Sequence, residues 1–232
     1  MISVRNSPRD KQREEIFFHR ALPGHGETFC AVFEFCGRKG TTTMAESLSE
    51  LENACRGCQK CPLGKTRTNL VFGTGNPKAK IMFVGEGPGE QEDLQGLPFV
   101  GKSGQLLDLY AELIDLDRKK NIYIANMVKC RPPHNRDPKP EETELCLPYL
   151  RAQVKFIRPT IIVCLGRVAA QRLISPDFRV TRQHGEFFKK GETYMMGTFH
   201  PAALLRDDAK KKDELADFQK LREKIEELKL EI

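Results

Sequence analysis

The sequence predicts an α/β sandwich around a mostly parallel sheet. Three observations carry that expectation. Short runs such as Ile81-Met82-Phe83-Val84 and Thr160-Ile161-Ile162-Val163-Cys164-Leu165 are apolar throughout, as strands covered on both faces must be. Between such runs lie segments of helical period, with Leu106, Leu107, Tyr110, Leu113 and Ile114 on one face. Strands alternating with helices imply helices layered on a parallel sheet. Finally, the first run ends in a turn with Gly85, Gly87 and Gly89, a common ligand position in such proteins.

The chain has 232 residues, enough for one domain with a sizeable core and not for two. Residues 1–43 mix a charged stretch with β-like apolar residues around Cys30 and Cys36 that find no partner segment. They are expected to be a loosely attached extension, or a start placed too early with Met44 the true beginning. An extra hairpin docked on the domain is the alternative. The domain proper is expected over residues 44–232. Its first helix starts at Ser47 or Ser49, with Leu48, Leu51 and Ala54 on one face.

Next come a strand-like Asn69–Gly73, a turn over Gly73–Pro77, the strand Ile81–Gly85 and a helix over Ser103–Leu116. A second buried strand follows at Ile122–Val128, and four prolines keep residues 130–140 irregular. Pro140 and the acids after it open another helix, since proline and negative charge suit the positive helix end. The clearest strand, Thr160–Gly166, leads into a helix over Arg167–Leu173. Strand-like pieces at Gly185–Lys190 and Thr193–Met196 precede Phe199-His200-Pro201. The charged tail, Lys210-Lys211-Lys212 and Asp213–Leu230, reads as a solvated helix face.

No apolar run is long enough to span a membrane. The N-terminus lacks the apolar core of an export signal, so the expected compartment is the cytoplasm. A net charge of +6 permits nucleic-acid binding without establishing it. Eight cysteines without an export signal argue against a disulfide framework. Cys58-x2-Cys61 with Cys130-x15-Cys146 offers four soft ligands, for zinc or for an iron–sulfur cluster. Cys55 stands at the same spacing before Cys58 and competes for membership. Cys164, inside an apolar strand, reads as a buried hydrophobe.

Gly96-Leu97-Pro98-Phe99-Val100-Gly101-Lys102-Ser103 fits the phosphate-loop pattern letter by letter. The context opposes it. An acidic segment precedes it instead of a strand, and Pro98 has no N–H to give a phosphate. The glycines at 85, 87 and 89 miss the dinucleotide spacing as well. His200 sits at a strand end, where a neutral imidazole donates a hydrogen bond to a developing oxyanion. Asn126, at another strand end, offers donor and acceptor together, suited to a base edge. Either residue would equally serve as a loop cap.

Together these residues resemble the family 4 uracil-DNA glycosylases. The matching positions are Cys58-x2-Cys61-x-Leu63 with Arg67-Thr68, Gly85-Glu86-Gly87-Pro88-Gly89-Glu90, Asp93, Gly96-x-Pro98-Phe99-Val100-Gly101 and Gly104-x-Leu106-Leu107. They continue with Asn126-x3-Cys130-Arg131-Pro132-Pro133, Cys146, and His200-Pro201-x2-Leu204-Leu205-Arg206. The resemblance runs from about residue 44 to 225.

It implies a three-layer α/β/α sandwich and a monomeric enzyme that flips uracil out of single- or double-stranded DNA and hydrolyses its N-glycosidic bond. It assigns a [4Fe–4S] cluster to Cys58, Cys61, Cys130 and Cys146, structural in purpose, and leaves Cys55 spare. It implies that the backbone at Glu86-Gly87 and the Asn126 amide read uracil, that Phe99 stacks on the ring, and that His200 bonds O2 of the leaving anion. Leu204 or Leu205 would wedge into the gap and Arg206 would meet a phosphate. Among Glu86, Glu92 and Asp93, the water-orienting role is expected of Glu92, or of the Asn126 amide. His134, in a loop where a related branch attaches covalently to its product, is expected to be a plain exposed residue. Two competitors are a uracil-DNA-binding protein without turnover and an iron–sulfur regulatory or electron-transfer module.

Overall fold

A computed structural model describes residues 45–232. The boundary expected between 1–43 and 44–232 lies outside the described residues. Helix α1 (Leu48–Arg56) starts where Ser47 Oγ accepts the Glu50 N–H, a side-chain cap on an otherwise unsatisfied donor. A single turn, α2 (Leu63–Thr66), follows the first cysteine pair.

The sheet comprises β1 (Thr74–Gly75), β2 (Ile81–Gly85), β3 (Ile122–Asn126), β4 (Ile161–Leu165), β5 (Phe187–Lys190) and β6 (Thr193–Thr198). Its order is β1-β3-β2-β4-β6-β5. The four central strands are parallel, and the edge strands β1 and β5 are antiparallel to their neighbours. The register pairs Gly85 with Asn126 and Leu165 with Thr198. The central strands therefore end at one common edge.

Alternation of side chains across the pleat builds two cores. Ile81, Phe83, Ile122, Ile124, Ile161 and Val163 face one way. They meet α4 (Lys102–Glu112), α8 (Pro201–Leu204) and α9 (Lys210–Glu227) through Leu107, Tyr110, Leu204, Phe218 and Leu221. Met82, Val84, Tyr123, Ala125, Ile162 and Cys164 face the other way. They meet α5 (Pro140–Ile157) and α6 (Arg167–Leu173) through Leu147, Leu150, Ala169 and Ala170. Two further short helices are α3 (Glu90–Gln95) and α7 (Val180–Gln183). The result is the sandwich expected from the sequence, with helices on both faces of the sheet. Among the described residues no helix is long and apolar enough to cross a membrane.

Two expectations fail. Asn69–Gly73 is not a strand; β1 lies in the glycine-containing segment read as a turn. The apolar pattern of that segment reflects packing instead of pairing: Val71 and Phe72 are buried, and Val71 N–H bonds Lys129 O at 3.0 Å. The tail is also more than a solvated face. Helix α9 buries Phe218, Leu221 and Ile225 beside Glu214 and Asp217. Buried acids at helical spacing disguised an apolar stripe.

Candidate active site

A cavity of about 470 Å³ opens at the edge where the parallel strands end. It brings together Glu86, Gly87, Glu92, Phe99, Asn126, His200 and Arg206, which the sequence places on five separate segments. Gly85 ends β2 immediately before the lining residues Glu86 and Gly87. A Cβ there would collide with Asn126 Oδ1 and the Phe99 ring, so the absence of a side chain lets strand, amide and ring meet.

Phe99 takes φ +53°, a conformation uncommon for a bulky residue, and the surroundings hold it there. Glu92 Oε1 accepts the N–H groups of Val100 and Gly101, both at 2.9 Å. Arg118 donates to the carbonyls of Pro98 (3.0 Å) and Phe99 (2.9 Å) while its Nε bonds Asp108 Oδ1 at 2.7 Å. Two N–H groups that a phosphate loop would offer are thus engaged by a carboxylate. The Phe99 and His200 rings lie 5.7 Å apart between centroids.

His200 caps α8, its Nδ1 accepting the Ala202 N–H at 3.2 Å. The neutral ring therefore carries its proton on Nε2. Burial, and then the Arg206 charge, lower its pKa to about 4, with Glu92 opposing. Asn126 is 1% exposed, and its Oδ1 has no hydrogen-bond partner within the protein. Such an orphaned acceptor is rare and points to a ligand donor. Burial, then the charge and hydrogen bond of Asp137, raise Glu86 to about 7. Arg167 bonds that Asp137 at 2.5 Å.

Four residues weighed from the sequence stand apart from the cavity wall. Asp93 bonds the Thr68 and Asn69 N–H groups and is buried, so it anchors a loop and is not free to hold a water. Leu204 is fully buried in the core, whereas Leu205 is 46% exposed. Of that pair only Leu205 is exposed, because helical geometry turns Leu204 inward. His134 is exposed in a short turn at Pro133–Asn135.

Behind the His200 segment, the Thr198 hydroxyl lies between Glu214 Oε2 (2.7 Å) and Asp217 Oδ2 (2.6 Å). His184 Nδ1 bonds Asp217 at 2.9 Å, and its ring lies against Phe199. Burial raises Glu214 to about 8, with hydrogen bonds from Thr198 and the Phe199 backbone opposing.

A second, small cavity is lined by Cys55, Cys58, Cys61, Cys130 and Cys146. Arg67 Nη1 approaches Cys130 Sγ at 3.1 Å, and the Lys129 N–H approaches Cys146 Sγ at 3.3 Å. Among the described residues no group of three or more His, Cys, Asp and Glu is set to hold a single ion. Burial raises the Cys146 thiol to about 12, with Lys129 opposing. Lys129 itself is fully buried and pushed down to about 8 by burial. Neither Arg118, Asp137 nor Lys129 was singled out by sequence reasoning. The nearest available signal was a lysine, Lys129, at the end of an apolar strand.

Comparison with known proteins follows the same lines. A sequence model of the uracil DNA glycosylase superfamily matches residues 72–226. A type-4 uracil-DNA glycosylase of Archaeoglobus fulgidus is 45% identical over 186 residues, covering 77% of this chain and 93% of that protein. One from Sulfurisphaera tokodaii is 43% identical, with 77% and 84% covered. One from Saccharolobus solfataricus is 42% identical, with 78% and 87% covered.

Proposed function

The chain belongs to the uracil DNA glycosylase superfamily, and from that premise we infer that it excises uracil from DNA, hydrolysing the N-glycosidic bond to open base-excision repair. The observation that carries the residue roles is the unpartnered Oδ1 of Asn126 at the wall of a cavity that Phe99 and His200 also line.

A base inside a duplex is out of reach, so the nucleotide is turned out into the cavity. Phe99 stacks on the ring. The Asn126 Oδ1 accepts the N3–H of uracil, which cytosine lacks, and its amide nitrogen donates to O4. Backbone at Glu86-Gly87 lines the same edge. His200 holds its proton on Nε2 and donates it in a hydrogen bond to O2 as the base leaves with the bond electrons. Donors fixed where charge develops accelerate such a step. Glu92, with one oxygen tied to the Phe99 turn, orients the water through its other oxygen. Leu205 fills the gap left in the stack and Arg206 meets a phosphate.

Cys58, Cys61, Cys130 and Cys146 hold a [4Fe–4S] cluster, with Cys55 the spare thiol. The fit rests on the donor set, soft sulfur faced by the Arg67 and Lys129 cations. When bound, the cluster supplies a cross-link between the α1–α2 segment and the β3–α5 region, and no redox step in excision. A monomer in the cytoplasm acting on single- or double-stranded uracil DNA completes the reading.

The test is release of uracil from single- and double-stranded oligonucleotides. His200→Ala and Asn126→Ala are each expected to slow release by about 10²–10³, the effect of removing one oxyanion donor. Uracil-DNA binding with no release by the unmodified protein defeats the reading.

A further inference from the structure

Lys129 lines the cysteine pocket, and its side chain also reaches the strand end that carries Asn126. It is 1% exposed. Its ammonium donates to the main-chain carbonyl of Asn126 at 2.8 Å and to Gln153 Oε1 at 2.6 Å. Gln153, itself fully buried, is held in turn by its Nε2 donating to Phe72 O at 2.9 Å. The main-chain N–H of Lys129 bonds Cys146 Sγ. One residue thus grips the base-reading strand end with its side chain and the thiol pocket with its backbone.

A buried ammonium needs a counter-charge, because transfer out of water strongly disfavours an unpaired ion. Among the described residues Lys129 makes no ion pair with a carboxylate, and Cys146, Cys55 and Cys130 are the groups that favour its charge when they are thiolates. Its other two partners are neutral oxygens. The pocket supplies that compensation when its cysteines are held as thiolate ligands, while the hydrogen bonds of the ammonium hold the strand end at Asn126.

We propose that Lys129 is a positioning residue that ties the cysteine pocket to Asn126, fixing the carboxamide that reads the base while neutralising the thiolates behind it. The proposal rests on the reading of uracil excision and cysteine ligation given above. It gives the cysteine pocket a part in base recognition beyond holding two segments of chain together.

A double-mutant cycle tests it, because a group acting only through Asn126 has little left to do once that amide is gone. Lys129→Met keeps the length of the side chain and removes its charge. It is expected to slow single-turnover uracil excision roughly tenfold to a hundredfold, as loss of a supporting partner does, and by less than about threefold in an Asn126→Ala background. Equal factors in both backgrounds, or no effect in either, overturn the proposal; a merely structural role gives the former.

Iron and acid-labile sulfide per chain, followed during exposure to a chelator, supply the second readout. Lys129→Met is expected to lose iron several-fold faster than the unmodified protein, and an unchanged rate overturns the neutralising role. Should Lys129→Met not fold, Gln153→Leu runs the same cycle, expected to be smaller but equally non-additive with Asn126→Ala. Failure of the underlying reading looks different: the unmodified protein then releases no uracil or carries no iron and sulfide, whatever the variants do.

Discussion

His200 shows how one hydrogen bond fixes a chemical state. The Ala202 N–H directed at Nδ1 disfavours a proton there, and burial works in the same direction. The folded protein keeps this ring neutral down to about pH 4, while an unfolded chain gains the proton near 6.5. The linkage follows: this group costs no stability above pH 6.5, progressively more as the pH falls from there towards 4, and no more below it. Protonation of Nδ1 would set N–H against N–H and turn the ring. Single-turnover excision is expected to show an acidic limb near pH 4, absent from His200→Gln, when rate is followed against pH at constant ionic strength. At this scale the sequence was informative wherever a residue sits in a motif. Asn126 ends a strand, His200 closely follows one, and Phe99 stands in a tight turn, so their positions could be read. Arg118 could not. It lies in an ordinary charged stretch, Asp117-Arg118-Lys119-Lys120, and nothing local says that its guanidinium reaches back to two carbonyls around Phe99.

The element that matters most is the turn between α3 and α4. Three supports converge on it: Glu92 from α3, Arg118 from beyond α4, and Gly104 in the first turn of α4. A Cβ at Gly104 would run into the backbone of Phe99. Gly104→Ala is expected to cost on the order of 1–3 kcal/mol, the usual penalty of overpacking, measured by chemical unfolding. Arg118→Met leaves the helix intact and loosens only the turn. Its expected signature is a kcat lowered roughly tenfold to a hundredfold, since small misplacements of a positioning group are costly, with the melting temperature little changed. The letters Gly96 to Ser103 that imitate a phosphate loop are explained by the same supports. Their glycines cap α3 and start α4, with Gly96 at φ +71° as the left-handed stop. Strand and helix identities were legible because continuous apolar runs and helical spacing are strong signals. The paired residues of β1 were not, because a two-residue edge strand is defined by its neighbour and not by its own composition.

Across the whole molecule, buried acids set the response to pH. Glu86 and Glu214 keep protons to about pH 7 and about pH 8, against 4.5 when unfolded. The folded state therefore holds more protons over that window, and stability is expected to fall as pH rises through it. Glu214→Gln removes one of these contributions, so its melting temperature is expected to vary less between pH 5 and pH 8 than that of the unmodified protein in calorimetry at matched ionic strength. The layered architecture was readable from alternation alone. The polar network of Thr198, His184, Glu214 and Asp217 was not, since its members come from β6, α9 and the segment before β5, brought together only by the packing of α9 on the sheet.

The unpartnered oxygen of Asn126 has a kinetic side. Free uracil carries the same N3–H as uracil in DNA, so the atom that recognises the substrate also retains the product. Turnover is then governed at the exit as well as at the bond that breaks, and the released base competes for the pocket with the next lesion.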